Sequence, residues 1–203
     1  MLDRRATQLI KPALDGVARA LVRAGVGADA LTLAGFGLGL FAAVLIAVQL
    51  YLAGAAAIFA SRLCDGLDGA VARQTQPTDR GGFLDITLDF IFYASIPLAF
   101  AMADPARNAL PAAVLLAAFM GTGASFLAFA VIAARRGMAS TDWPEKSFYF
   151  LGGLTEATET LACFVAMCIW PQHFALLAGV FAAMCAVTIV TRIWWGWRAF
   201  SRD

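Results

Sequence analysis

Four aspartates in an otherwise apolar part of the chain are the residues whose types and spacing could carry out chemistry. Asp65 and Asp68 are three positions apart, and Asp85 and Asp89 are four positions apart. On a helix, either spacing places both carboxylates of a pair on one face. A carboxylate in or near hydrocarbon is costly unless it is paired, hydrated or bound to a metal. The aspartates therefore form a candidate functional site.

The chemistry predicted for these aspartates is the binding of a divalent cation. Two helices facing each other would bring the four carboxylates to one point, where their repulsion requires a compensating positive charge. Hard oxygen ligands favour Mg²⁺, Mn²⁺ or Ca²⁺ over zinc. Gly69 and Ala72 leave a helix surface without bulk, at which a ligand can approach the backbone. Arg73 adds a fixed cation suited to a phosphate.

The composition indicates that these residues lie in an integral membrane protein. Of 203 residues, 61% are hydrophobic and only 14% are charged. A soluble domain averages about 45–50% apolar and about 25% charged residues. The formal net charge is only +1, and no nucleic-acid partner is expected. The four cysteines lack the spacing of a zinc site and are expected to be free thiols.

The elements that must position the aspartates are all predicted to be helices, in a single membrane domain over 1–203. An amphipathic helix over 2–23 is expected on the membrane surface. Asp29 is expected to cap the next helix, and the glycines Gly35, Gly37 and Gly39 indicate close helix packing. Six transmembrane helices are predicted at about 30–51, 52–74, 81–102, 109–134, 148–170 and 174–195.

The basic residues predict the orientation of these helices. Of the 15 Lys and Arg residues, only Arg107 falls clearly on the side opposite the aspartates. Basic residues are enriched in cytoplasmic loops, so the aspartates are expected at the cytoplasmic face. We expect the protein in a bacterial inner (cytoplasmic) membrane.

The aspartate stretch resembles the signature of the CDP-alcohol phosphotransferase (phosphatidyltransferase) family, D-x2-D-G-x2-A-R, a short loop and G-x3-D-x3-D. The matching positions are Asp65, Asp68, Gly69, Ala72, Arg73, Gly81, Asp85 and Asp89. Seven residues separate Arg73 from Gly81, where the usual pattern has eight. The segment from Ala28 to Thr32 is similar to the family's P-N-x-L-T, with Ala28 and Asp29 replacing the usual Pro and Asn.

The resemblance implies a reaction and its partners. Members of this family transfer a substituted phosphate from a CDP-linked donor to an alcohol and release CMP. Here the resemblance implies phospholipid synthesis, with CDP-diacylglycerol as the expected donor and an alcohol or phospho-alcohol as the acceptor. It also implies two divalent cations, Mg²⁺ or Mn²⁺, a membrane lipid as substrate, and a homodimer. The acceptor and the choice between a lipid and a soluble donor stay open.

The resemblance also implies roles for individual residues. Asp65, Asp68 and Asp85 are similar to the family's metal ligands, and Asp89 is either a shared ligand or the general base that activates the acceptor hydroxyl. Nucleotide or diphosphate binding is implied for Gly69, Ala72 and Arg73 of the signature and for Thr32 of the upstream segment.

Other charged residues are candidates for binding the acceptor or a phosphate. Arg62 lies one turn before the aspartate motif. Arg135, Arg136 and Lys146 lie on the same predicted side of the membrane, where ordinary anchoring of cytoplasmic loops also explains them. Glu156 and Glu159 form a second acidic pair with either a structural or a substrate-selecting role.

Two other classes of protein remain in competition with the enzyme. A divalent-cation transporter or channel would also place carboxylates within the membrane. Against it, the aspartates lie at one predicted membrane face only, and the small residues beside them have no obvious role in cation passage. A catalytically inactive scaffold is disfavoured by the complete set of aspartates.

Overall fold

The computed structural model describes residues 2–137 and 155–201, whose regular structure is entirely helical. This confirms the predicted all-α class. The helices are α1 (Leu2–Arg23), α2 (Ala28–Ala47), α3 (Tyr51–Gln74), α4 (Asp79–Ala103), α5 (Pro105–Arg135), α6 (Ala157–Ile169) and, after the short 3₁₀ helix Pro171–His173, α7 (Phe174–Phe200).

Four of the described helical stretches are long and apolar enough to cross a membrane. They are α2, α4, α5 and the stretch Pro171–Phe200. Helix α3 has 24 residues, but the charged side chains in its second half lower its apolarity. Helix α6 has 13 residues, which is short for a span. The count of six spans stays a prediction, because residues 148–154 of the predicted fifth span lie outside the described residues.

Glycines let α2 approach α3 and α4 closely. A Cβ atom at Gly35 would lie 3.0 Å from Cβ of Cys64 on α3, and one at Gly39 would lie 2.5 Å from Cδ2 of Phe92 on α4. At Gly37 it would meet no atom of the described residues within 4 Å. The prediction of close packing is therefore confirmed for Gly35 and Gly39, whereas for Gly37, on another face of the helix, it stays a prediction.

Aromatic rings form the core between α4, α5, α6 and α7. Phe100 on α4 stacks on Phe174 of α7, with ring centroids 4.6 Å apart. Phe164 on α6 makes edge contacts with Phe92 at 6.4 Å and with Phe119 of α5 at 6.1 Å. Phe92, Phe100, Phe164 and Phe174 are fully buried, so this core fixes the orientation of α4, which carries two of the aspartates.

Helix α1 packs against the end of α3 that carries the aspartate motif. Ala18 of α1 is buried together with Ala70 and Val71 of α3. The amide Nε2 of Gln74 donates to the backbone carbonyl of Asp15 at 3.1 Å. These contacts place α1 beside the motif, while its position on a membrane surface stays a prediction.

Asp29 does not cap α2, and that prediction is wrong. The helix begins at Ala28, so Gly27 occupies the N-cap position and Asp29 lies in the first turn. Its carboxylate instead forms an ion pair with Arg80, whose side chain is 84% exposed. This pair connects the loop between α3 and α4 to the start of α2.

The packing of α2 on α4 predicts that Gly39→Val destabilises the protein while Gly37→Val does not. The added side chain at position 39 would collide with the buried ring of Phe92. Overpacking of this kind costs ~1–3 kcal/mol, so we expect the apparent Tm in detergent to fall by several degrees. Equal apparent Tm values for the two variants, measured by temperature-dependent size-exclusion chromatography, would contradict the close contact.

Candidate active site

Three carboxylates from two helices converge on one position. Asp65 and Asp68 extend from α3 and Asp85 from α4, and each offers an oxygen within 4.8 Å of the others. Asp68 is buried, with 6% of its surface exposed, whereas the side chain of Asp65 is 33% exposed. Three hard oxygen donors that converge in this way suit Mg²⁺, Mn²⁺ or Ca²⁺. The donor set therefore fits the divalent cation expected from the sequence.

Helix α2 contributes Thr32 to this group. The hydroxyl of Thr32 donates to Oδ2 of Asp68 at 2.6 Å, and both residues are buried. A hydrogen bond to an ionised oxygen is short and strong, and such bonds to a ligand orient it towards a metal. The contact gives Thr32 a role in orienting Asp68, while nucleotide binding by Thr32 stays a prediction.

Arg62 connects the two aspartate pairs. Its Nη1 donates to Oδ1 of Asp89 at 2.7 Å and to Oδ1 of Asp65 at 3.1 Å. The guanidinium carbon lies 4.2 Å from the ring centroid of Phe92, and the Arg62 side chain is only 13% exposed. Asp89 is thus engaged by a cation of the protein itself and is not one of the three convergent carboxylates. Phosphate binding by Arg62 stays a prediction.

A small cavity of about 10 Å³ lies between these groups. A volume of this size holds roughly one water molecule. The residues that line it come from α2, α3 and α4 and are Thr32, Gly35, Phe36, Arg62, Asp65, Asp85, Leu88 and Asp89. Asp65 of the first pair and both members of the second pair therefore face one shared space.

The residues expected to bind the nucleotide lie on an open side of α3. Among the described residues, a Cβ atom at Gly69 would meet only Nη1 of Arg73 within 4 Å, at 3.2 Å. Arg73 is exposed, and Ala72 beside it is small and half-buried. A wider cavity of about 490 Å³ lies between α1 and α3, lined by Lys11, Asp15, Arg19, Arg73 and Gln74. The three basic side chains at its wall would favour an anionic ligand.

Arg135 and Arg136, two of the residues expected to bind the acceptor, are not among the residues that line these two cavities. Arg135 and Arg136 are exposed at the end of α5. Arg136 donates to the backbone carbonyl of Phe200 at 3.1 Å, and its guanidinium carbon lies 5.4 Å from the centroid of that ring. Lys146 lies outside the described residues. Acceptor binding by these three residues stays a prediction.

The second acidic pair lies at the start of α6. Glu156 occupies the N-cap position and Glu159 lies in the first turn. Oε2 of Glu159 is buried without a hydrogen-bond partner among the described residues. The charge of Glu156 acts on Arg192 of α7, whose Nη1 donates to the backbone carbonyl of Thr122 at 3.0 Å. These contacts leave open both roles considered for the glutamates.

Two supporting residues were not identified from the sequence. Ser61 is fully buried, and its hydroxyl donates to the carbonyl of Gly35 at 2.7 Å, which ties α3 to α2 beside Arg62. Phe92 supplies the ring under the guanidinium of Arg62. Phe92 follows Asp89 by three positions and so shares its helix face. The three-residue spacing could have indicated that Phe92 lies near the site. Aromatic residues are so common in apolar helices, however, that the spacing alone does not distinguish Phe92 from the others.

Comparison with known proteins identifies relatives of the whole chain. The chain is 50% identical over 197 residues to the inner membrane protein YnjF of Escherichia coli (strain K12), covering 97% of this chain and 96% of that protein. A shorter match, 47% identical over 68 residues, links it to the archaetidylinositol phosphate synthase of Methanothermobacter thermautotrophicus and covers 33% of this chain and 35% of that protein.

The fold resembles that of the phosphatidylinositol phosphate synthase PgsA1 of Mycobacterium tuberculosis. The crystal structure with CDP-DAG bound has a TM-score of 0.67 and 24% identity, covering 91% of this chain and 93% of that chain. The structure in complex with manganese and citrate has a TM-score of 0.65 and 24% identity, covering 91% and 88% of the two chains. At this identity, the likeness shows a shared fold.

The model of the CDP-alcohol phosphatidyltransferase family matches residues 26–194. The match includes the four aspartates, Thr32 and Arg62. It extends over most of the described helices and agrees with the signature recognised in the sequence. The chain therefore belongs to the CDP-alcohol phosphatidyltransferase family.

Proposed function

We propose that this protein transfers a phosphatidyl group from CDP-diacylglycerol to an alcohol or phospho-alcohol and releases CMP, as a step of phospholipid synthesis. The observation that carries the proposal is the convergence of Asp65, Asp68 and Asp85 within 4.8 Å, with Asp89 beside them on Arg62. This arrangement provides cation ligands and a separate carboxylate, which are the groups that the reaction requires.

The relatives support the lipid donor and the metal. The M. tuberculosis synthase of the same fold has been crystallised with CDP-DAG and, separately, with manganese and citrate. The archaeal relative is named for the synthesis of a lipid phosphate. We therefore propose CDP-diacylglycerol as the donor and two divalent cations, Mg²⁺ or Mn²⁺, as the cofactors.

Asp65, Asp68 and Asp85 would hold the cations, and Thr32 would orient Asp68 for this task. When bound, a divalent cation neutralises the diphosphate of the donor and stabilises the charge on the leaving group. The open surface at Gly69 and the guanidinium of Arg73 would bind the nucleotide diphosphate on the face of α3 that also carries Asp65.

Asp89 would act as the general base. Its carboxylate takes the proton from the acceptor hydroxyl, whose oxygen forms a new bond to the phosphorus that bears the diacylglycerol. The bond between that phosphorus and the bridging diphosphate oxygen breaks, and CMP leaves with the electron pair. One phosphorus–oxygen bond forms and one breaks, so no further reactant is needed.

The proposed setting is the cytoplasmic face of a bacterial inner membrane. The E. coli relative carries the name of an inner membrane protein, and the distribution of basic residues supports a cytoplasmic site. We propose six spans in the whole chain, with α3 and the predicted span at about 148–170 as the two added to the four candidate spans. We also propose a homodimer, as the family resemblance implies.

The arrangement of the carboxylates favours the transferase over a cation transporter. Asp65 and Asp68 lie in the second half of α3, and Asp85 and Asp89 lie in the first half of α4. The four carboxylates therefore lie near the same end of two antiparallel helices and are not distributed along the length of the helices. A cation pathway would require ligands at successive depths.

We expect the purified protein to release CMP from CDP-diacylglycerol only when Mg²⁺ or Mn²⁺ and a suitable alcohol are both present. The measurement is CMP release in detergent, with glycerol phosphate, inositol phosphate, serine and simple alcohols supplied singly. Asp89→Asn should lower turnover at least 100-fold, because general-base catalysis contributes about 10²–10⁴-fold. It should leave nucleotide binding in place.

Normal turnover by Asp89→Asn would contradict its assignment as the base. An absence of CMP release from CDP-diacylglycerol, together with release from a soluble CDP-alcohol, would contradict the lipid donor. If neither donor yields CMP and the protein supports metal-dependent cation flux in liposomes, the transporter would be favoured.

The bond from Thr32 to Asp68 predicts a specific effect on metal binding. Thr32→Val keeps the shape of the side chain but removes the donor, so we expect Mn²⁺ affinity to fall about 10-fold, as is typical for loss of a bond to a metal ligand. Thr32→Ser keeps the hydroxyl and should retain the affinity. Isothermal titration with Mn²⁺ measures both, and equal losses in the two variants would exclude an orienting role for the hydroxyl.

The proposed orientation predicts which introduced cysteines an external reagent reaches. Gln76 lies in the exposed loop between α3 and α4, at the start of α4. Arg107 is exposed in the first turn of α5, close to the other end of α4. In intact spheroplasts, we expect a membrane-impermeant maleimide to label Arg107→Cys and to label Gln76→Cys only after lysis. The unmodified chain with its four native cysteines is the control, and the reverse pattern would contradict a cytoplasmic site.

A further inference from the structure

Three basic side chains from two helices line the wider cavity between α1 and α3, which we call the basic groove. Lys11 and Arg19 come from α1 and Arg73 comes from α3, and the groove of about 490 Å³ is also lined by Asp15 and Gln74. None of these residues lines the small cavity at the aspartates. The basic groove is therefore a space distinct from the candidate cation site.

The positive charges of the basic groove are not neutralised by neighbouring acids. Within the described residues, its three basic side chains form no ion pair, whereas Arg62 and Arg80 are both paired with aspartates. Of the described residues that line the groove, only Asp15 is acidic, so two positive charges are left over. A concave site with an excess of one charge attracts a ligand of the opposite charge.

Helix packing forms the basic groove before any ligand binds. A Cβ atom at Gly66 of α3 would lie 3.3 Å from Cδ1 of Leu14 on α1, and Ala18 of α1 is buried against α3. Nε2 of Gln74 donates to the backbone carbonyl of Asp15 at 3.1 Å. These contacts hold the two walls of the groove at a fixed separation, which lowers the entropic cost of binding.

Arg73 lies at the border between the basic groove and the surface proposed for the nucleotide. Its Nη1 is 3.2 Å from the position that a Cβ atom of Gly69 would occupy. On α3, position 73 falls between the face of Gly69 and the face of Gly66, which packs on α1. The positive charge of Arg73 is therefore shared by two adjacent surfaces.

We propose that the basic groove binds a phosphate group, carried either by the headgroup of an anionic phospholipid or by a soluble phosphate. The planar guanidinium groups of Arg19 and Arg73 match the oxygens of a phosphate in geometry and charge, and Lys11 adds a mobile point charge. Binding in the groove requires neither a metal nor turnover. The site is therefore independent of the proposed transfer reaction.

General attraction of α1 to an anionic membrane is the competing explanation. Basic residues on the polar face of an amphipathic helix attract anionic lipids wherever they lie on that face. In the basic groove, however, Arg73 of a second helix adds its charge to those of α1. Arg19 and Arg23 distinguish the two explanations, because both are exposed on α1, one turn apart, and of the two only Arg19 lines the groove.

The test is the binding of two probes to the purified full chain in detergent with EDTA, so that no cation holds a phosphate at the aspartates. Native mass spectrometry measures dioctanoyl phosphatidylglycerol, and isothermal titration calorimetry measures inorganic phosphate. For the probe that binds, we expect Arg19→Gln to lower the affinity about threefold, as for an exposed charge pair, and Lys11→Gln/Arg19→Gln to lower it about 10-fold. Arg23→Gln is the matched control and should leave the affinity unchanged.

Asp15→Asn should produce the opposite change. The substitution removes a repulsive charge from the basic groove and keeps the backbone carbonyl that accepts from Gln74. We therefore expect the affinity for the probe to rise about threefold. Because misfolding does not tighten binding, this variant keeps the test decisive if the α1 variants with lower affinity are unstable.

The pattern across the probes and variants decides the outcome. Groove-dependent binding of phosphatidylglycerol alone identifies a lipid headgroup as the ligand, and groove-dependent binding of inorganic phosphate identifies a soluble one. Equal losses in Arg19→Gln and Arg23→Gln, unchanged binding by Asp15→Asn, or no binding of either probe would overturn the proposal. If the protein releases no CMP but shows the expected binding pattern, the transfer reaction is refuted and the phosphate site is not.

Discussion

The mutual repulsion of four carboxylates is the constraint on which the rest of the structure depends. Asp65, Asp68, Asp85 and Asp89 meet between apolar helices, where charges are poorly screened. The protein offsets this repulsion with one guanidinium, that of Arg62, and with the hydroxyl of Thr32. Since both compensating groups must reach the carboxylates at short range, the spacing and rotation of α2, α3 and α4 are tightly restricted.

The packing of the helices meets this restriction in two ways. On one side, Gly35 and Gly39 remove the bulk that would keep α2 from its neighbours, so the hydroxyl of Thr32 comes within 2.6 Å of Asp68. On the other side, the aromatic core holds α4 through the ring of Phe92. That same ring supports Arg62. Phe92 therefore belongs both to the aromatic core and to the charged site, so the site is continuous with the core.

The sequence predicted the helices, the pairing of the aspartates and the family, because periodicity and spacing are local properties. It did not predict that Arg62 would bridge Asp65 and Asp89, or that Thr32 would donate to Asp68. Those features depend on how one helix is rotated against another, which the spacing along a single helix does not specify. The wrong assignment of Asp29 as a cap has a similar origin, since its carboxylate pairs with Arg80, 51 positions away.

The hydrogen bond between Thr32 and Asp68 joins two helices that are otherwise held together by side-chain packing and by the bond from Ser61 to the carbonyl of Gly35. The ligand geometry therefore depends on how closely α2 stays packed against α3. A detergent that loosens this pair would dismantle the ligand group while each helix keeps its own backbone hydrogen bonds. Circular dichroism would then report intact helices although the cation site has been lost. We therefore expect cation binding to depend on the lipid or detergent that surrounds the protein.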